Sequence, residues 1–155
     1  MALNLKPAYD RILSLCGATA MFDAVQNHEP KSAPVKGARD CSLAVFLDWI
    51  GPAVSQSGQK STTGRVVLIG RIYVPMVTSK PGDAELRAGL AAAKVIEVLS
   101  GDFELGGSVR CVDLMGATGT PLSAQGGYVD ISNTKFRIMD VAIPLIINDI
   151  WAQEG

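Results

Sequence analysis

Near the start of the chain Tyr9, Ile12, Leu13 and Cys16 recur at i, i+3, i+4 and i+7, the spacing that gathers side chains on one face of an α-helix. Pro7 suits the first helical turn, where an amide donor is not needed, and Gly17 suits the exit. "MFDAVQ" (21–26) then reads as a short strand. Residues 27–40 are polar, with two prolines and a glycine, and read as an exposed loop.

The period next changes to two. Cys41, Leu43, Val45, Leu47 and Trp49 point one way, and Ser42, Ala44, Phe46 and Asp48 the other. Residues 65–76 alternate similarly, with Arg65 and Arg71 on one face. Two such runs predict a large β-hairpin. The fourteen residues joining them, Gly51 to Gly64, show no apolar periodicity. A loop that long is uncommon in a compact domain unless it serves a function.

Helical spacing returns over 79–101. Asp83 is the expected N-cap, Gly101 the expected stop, and Ala88, Ala92, Val95, Ile96 and Leu99 the buried stripe. Glu85, Arg87, Lys94 and Glu97 fall on the wet side, and Gly89 suggests a close approach by a neighbour. Strands follow at 108–115, 127–132 and 134–147, the last two joined by a tight hairpin through Ser132, Asn133 and Thr134. Pro144 suits an edge strand or a bulge better than a central position. The order α-β-β-β-α-β-β-β predicts an α+β fold: a mostly antiparallel β-sheet with two α-helices packed on one face and a long projecting β-hairpin. With no internal repeat and no dividing linker, residues 1–155 read as a single domain.

Composition narrows the function. Hydrophobic residues make up 48% of the chain, which suits a packed core. Charged residues make up 19%, against about 25% typically, which hints that part of the surface meets other protein. The net charge of −1 makes a poor stand-alone grip on nucleic acid, which relies on clustered cations. Tyr9-Asp10-Arg11 interrupts any signal-peptide core, and no run of about 18 apolar residues predicts a membrane span, so the expectation is a protein made in a cytoplasm that works there or as part of something assembled there. Cys16, Cys41 and Cys111 lie far apart without metal-ligand spacing and read as buried thiols.

One stretch invites a chemical reading. "SGQKSTTGR" (57–65) places a glycine, a lysine and hydroxyls together, like a phosphate-cradling loop that would make the chain a small nucleotide-binding enzyme. The match fails. Gly51 and Gly58 are seven apart instead of five, Gln59 separates Gly58 from Lys60, and a strand follows where the motif requires a helix. "GATGTPL" (116–122) reads as a turn. His28, the only histidine, stands beside Glu29, which permits either an acid–base pair or two solvated loop residues. Asp130, Asp140 and Asp149 lack the spacing of a metal cage. The expectation is therefore no catalytic set, no cofactor and no metal. Trp151, near the C-terminus, is either an interface anchor or a cap on its own core.

"FDAVQNHEPKSAP", "SGQKSTTGRVVLIGRIYVPM", "SGDFELGGSVRCVDLMGATGTPLSAQGGYVDI" and "FRIMDVAIPLIINDIWAQ", taken in order, resemble the tail terminator (tail-completion) proteins of long-tailed bacteriophages, most of all those of phages infecting actinobacteria. The resemblance runs from about Leu5 to Gln153, and it rests on the ordered set because no single motif is tied to chemistry. Gln59-Lys60 departs from the small apolar pair expected after "SG".

The resemblance implies a six-subunit ring at the head–tail neck, assembled in the host bacterial cytoplasm. Its partners would be itself, the major tail tube protein and the head–tail connector, with DNA only passing through the channel and no membrane involved. Another neck component, such as a head-closure protein, is the alternative. Within such a ring the loop of hairpin 41–76, with Ser57, Gln59, Lys60 and Arg65, is expected to face an axial neighbour. Loop 27–40, with His28 and Glu29, and segment 148–155, with Asp149 and Trp151, are expected to make subunit or connector contacts.

Overall fold

The computed structural model describes residues 3–34, 37, 39–53, 61–76, 82–117 and 119–152, with the backbone alone for 61, 62 and 149–152. The elements run α1 (Lys6–Ala18), β1 (Ala24–Gln26), β2 (Ser42–Pro52), β3 (Ser61–Pro75), α2 (Asp83–Gly101), β4 (Cys111–Val112), β5 (Ser123–Ile131) and β6 (Thr134–Ala152). Their order and types match the sequence pattern, and the fold is α+β.

Helix α1 begins with Pro7 in its first turn and ends where the Thr19 hydroxyl donates to the Cys16 carbonyl at 2.6 Å. Helix α2 begins at Asp83 after Gly82, which takes a left-handed φ of 85°. Gly82 is therefore the N-cap, and Asp83 and Glu85 instead place negative charge in the first turn, where the helix dipole favours it. The buried face of α2 is largely alanine (Ala84, Ala88, Ala91, Ala92), with Val95 and Leu99. Gly89 makes no close approach, since nothing lies within 4 Å of where its Cβ would sit.

The sheet is mixed. Its order is β1-β2-β3-β6-β4, with β5 also on β6; β1 runs parallel to β2 and every other pair is antiparallel. Strand β6 is nineteen residues long and pairs with β3 along that length. Its other edge is shared, with β5 beside Thr134–Ala142 and β4 beside Leu145 and Ile146. Pro144 thus lies in a central strand, contrary to expectation. Its carbonyl accepts the Asp113 amide at 2.8 Å, so the donor it lacks points to the same side, at the gap between β5 and β4. The position costs no ladder bond. Only Cys111 and Val112 of the expected strand 108–115 are extended.

Alternation along β3 sorts the two faces. Val66, Leu68, Ile72 and Val74 pack with Leu43, Val45, Val141, Ile143 and Leu145 against Ile12 and Cys16 of α1 and the apolar stripe of α2. Each fully buried aliphatic side chain there contributes about 1.5–3 kcal/mol. Both helices cover this one face. The opposite face carries a smaller cluster of Ala44, Tyr73, Phe136 and Ile138, with Tyr73 and Phe136 edge to face at 6.1 Å.

Candidate assembly surface

The sheet has one feature the alternation rule does not reveal. The β2–β3 register shifts between Leu47 and Trp49, leaving Asp48 as the extra residue of a β-bulge. Before it Leu43, Val45 and Leu47 oppose Ile72, Gly70 and Leu68; after it Trp49 opposes Val67 and Ile50 opposes Val66. Trp49 therefore leaves the face of Leu47 and joins that of Phe46, and Ile50 takes its place. The Trp49 indole lies over Gly51, where a Cβ would meet ring carbons at 2.3 Å. Leu47, Trp49 and Ile50 remain 44%, 46% and 39% exposed, so this half of β2 carries apolar groups on both faces.

The expected projecting hairpin is not a lone arm. Strand β6 continues beside β3 until Thr62 stands opposite Trp151 and Ser61 opposite Ala152. The C-terminal segment and the base of the hairpin loop thus share one end of the sheet, as part of a three-stranded ribbon. Ser57, Gln59 and Lys60 lie outside the described residues, as do the side chains of Asp149 and Trp151.

Arg65 has a different setting. It faces away from the helices, yet the segment after β4 folds back over it. Arg65 Nη1 lies 2.7 Å from Asp113 Oδ2, and the two side chains are only 5% and 7% exposed. Arg65 Nη2 also donates to the Thr120 carbonyl. Asp113 in turn accepts the Ala117 amide at 2.8 Å, while its carbonyl accepts from Leu122 at 3.2 Å. Gly119 must be glycine, since a Cβ there would stand 2.9 Å from Arg65 Nε. Within the subunit Arg65 holds "GATGTPL" in place, and that segment is a turn.

His28 and Glu29 lie about 23 Å along the sheet from the hairpin end, counting the seven residues from Gly64 to Arg71 at 3.3 Å each. Glu29 Oε1 is 3.7 Å from Arg71 Nη1, whereas His28 Nδ1 is 3.2 Å from Asn27 Oδ1. The two are not an acid–base dyad, because the carboxylate is turned to the arginine. Arg71 is itself bound to Asp140 through Nε at 2.7 Å and Nη2 at 3.1 Å, and it stacks over Phe46 at 5.4 Å. That hydrogen bond to Asp140 outweighs partial burial and holds the Arg71 pKa above its already high ordinary value.

The first half of loop 27–40, expected to be exposed, lies against the helix-free face, where Ala33 packs against the Tyr73 and Phe136 cluster. Asp23, just before β1, holds the loop's C-terminal end, accepting the Arg39 amide at 3.0 Å and the Cys41 amide at 3.4 Å. A groove of about 650 Å³ opens along it, lined by Gln26, His28, Glu29, Lys31 and Ser32 among others.

Among the described residues no three His, Cys, Asp or Glu side chains converge where a metal could sit. Burial pushes the thiols of Cys16 and Cys41 up to about 12, and they are inert as nucleophiles at neutral pH. No described helix is long and apolar enough to cross a membrane.

No protein-family model matches the chain, and no curated protein does. A solved structure does. The sheath/tube terminator of an extracellular contractile injection system, the PVC particle in its extended state, superposes over 100% of this chain with a TM-score of 0.50 at 10% identity. The fold is terminator-like. The chain spans 60% of the length of that terminator. Sequence identity at this level leaves the shared architecture as the finding, and it agrees with the fold that the phage-terminator resemblance implies.

Asp113, the bulge at Asp48 and the Arg71–Asp140 pair escape sequence reasoning. An acidic residue directly after a short strand carries no local signal of a partner 48 residues away.

Proposed function

We propose that the chain is a structural virion protein, a tail terminator whose ring caps the tail tube, ends tube polymerisation and offers the joining surface for the head connector. The observation that carries this reading is the full-length likeness of its fold to a sheath/tube terminator. The ordered sequence resemblance to phage terminators supports it independently, and the six-subunit ring comes from that resemblance.

A ring requires heterologous contacts, in which one patch of each subunit meets a different patch of the next and the rotation closes. A terminator adds an axial asymmetry, with one face that accepts a tube subunit and another that does not copy the tube's own docking surface. We assign the axial contact to the end of the sheet that holds loop 53–60, with Ser57, Gln59 and Lys60, and the end of β6, with Asp149 and Trp151. Arg65 supports that end from within by anchoring 113–122. His28 and Glu29, on the loop across the helix-free face, are assigned to a subunit or connector contact. DNA passes through the channel without being held, in keeping with the net charge of −1.

Copurification tests the reading. The tagged chain is expressed with tail tube subunits, and separately with portal or adaptor subunits. Retention of tube subunits is the expected result. Retention of portal or adaptor subunits alone would move the protein to head closure or the connector.

A further inference from the structure

Two exposed apolar patches on this subunit differ in kind. The first is the free half of β2. Strand β1 pairs with β2 only from Ser42 to Ala44, and among the described residues no strand covers its edge beyond. Leu47 and Ile50 lie there on the helix-bearing side of the sheet, past the residues that the subunit's own helices cover, with exposed Asp48 between them and Trp49 on the far side.

The second patch is the outer face of α2. Leu86 and Leu90, one turn apart, are 63% and 56% exposed, opposite the stripe buried on the sheet. Gly89 adds no side chain there, so the helix surface is smooth. Arg87 stands three residues before Leu90 and Lys94 four after, which lines one flank of the leucines with two cations. Both cations make only loose pairs within the subunit, Arg87 with Asp40 at 3.8 Å and Lys94 with Glu97 at 3.3 Å.

We infer that α2 of one copy docks on the free half of β2 of the next. Leu86 and Leu90 lie on Leu47 and Ile50, and Asp48 meets the flank of Arg87 and Lys94. The neighbour's helix continues the helical layer over the strip of sheet that the subunit leaves bare. The patches are unlike each other, one a strand edge with an acid and the other a helix face with two bases. One copy therefore gives its helix and the next its strand, the unlike pairing that a head-to-tail ring needs. This inference rests on the ring reading and names the partner surface within it.

Disulfide trapping with full-length chains tests it. One chain carries Asp48→Cys, the other Leu90→Cys, and both carry Cys111→Ser so that no half-exposed native thiol competes. They are mixed at high concentration under mild oxidation, and self-association of the intact chain is followed by sedimentation. The mixed disulfide is expected to outpace both self-disulfides. Leu90→Asp is expected to weaken association about thirtyfold or more, as for loss of a central apolar anchor. Asp48→Lys is expected to weaken it several-fold, and the double variant Asp48→Lys with Lys94→Glu to recover most of that loss.

Self-disulfides of Leu90→Cys as fast as the mixed product would overturn the pairing of helix with strand. Association that ignores all these variants would overturn the inference and leave the ring reading standing. A chain that neither associates nor cross-links at any concentration, alone or with tube subunits, would bring down both.

Discussion

Arg65 and Asp113, 48 residues apart in sequence, form a buried ion pair at 2.7 Å that fastens the segment after β4 to the helix-free face of the sheet. Neither side chain has water to fall back on if the other is removed. Breaking such a pair from one side costs about 3–5 kcal/mol, whereas replacing both partners with apolar groups of similar volume is often nearly neutral. Arg65→Ala or Asp113→Ala is therefore expected to lower the urea midpoint sharply. Arg65→Met with Asp113→Leu should recover much of the loss. Equal damage from the single and double variants would show that the lost backbone contacts to Thr120 and Ala117, not the charges, dominate.

The hairpin between β5 and β6 turns through Ser132 and Asn133, whose φ angles are 51° and 63°. Two consecutive positive φ values define the turn type that favours Asn-Gly. Asn133→Gly is expected to raise stability modestly, because glycine occupies that region without side-chain strain and is favoured at the second position of such a turn. Thermal melts read the change directly. A lowered melting temperature would mean that the Asn133 side chain contributes more than its backbone strain costs.

Burial raises the thiols of Cys16 and Cys41 to about 12, well above the value of about 8.5 for an unfolded cysteine. The sign follows from the raised folded value. The stability these thiols contribute is fully present below about pH 8.5 and is lost as pH rises toward 12, because only the unfolded chain gains thiolate there. Stability should decline between pH 8.5 and 10, and Cys16→Ala with Cys41→Ala should flatten that decline. In a native thiol titration half-buried Cys111 is expected to react first, and the other two only on unfolding.

Much of this architecture is legible in the sequence, and its failures are specific. The i, i+3, i+4 pattern locates both helices, and period-two alternation locates β2, β3 and β6, because burial of one face imposes those periods. The alternation then misplaces Trp49, since a bulge at Asp48 reverses the phase and nothing local marks it. Pro144 misleads for a related reason: the edge rule assumes one neighbour along a strand, and here two strands share β6 with a gap opposite the proline. The candidate contacts divide similarly. Sequence separates the hairpin loop from the C-terminus, and pairing of β6 with β3 joins them at one end. Arg65 reads as a surface charge on a strand face, because only the tertiary fold brings 113–122 over it. Leu86 and Leu90 pass unnoticed as members of a wet helix face.

The central claim concerns length control, and the lengths of assembled tails measure it most directly. With the gene for this chain deleted from the tail-assembly system that encodes it, the proposed terminator role predicts that electron microscopy will show tail tubes that overrun their normal length, with any heads unattached. Tubes of normal length with heads missing would contradict the account.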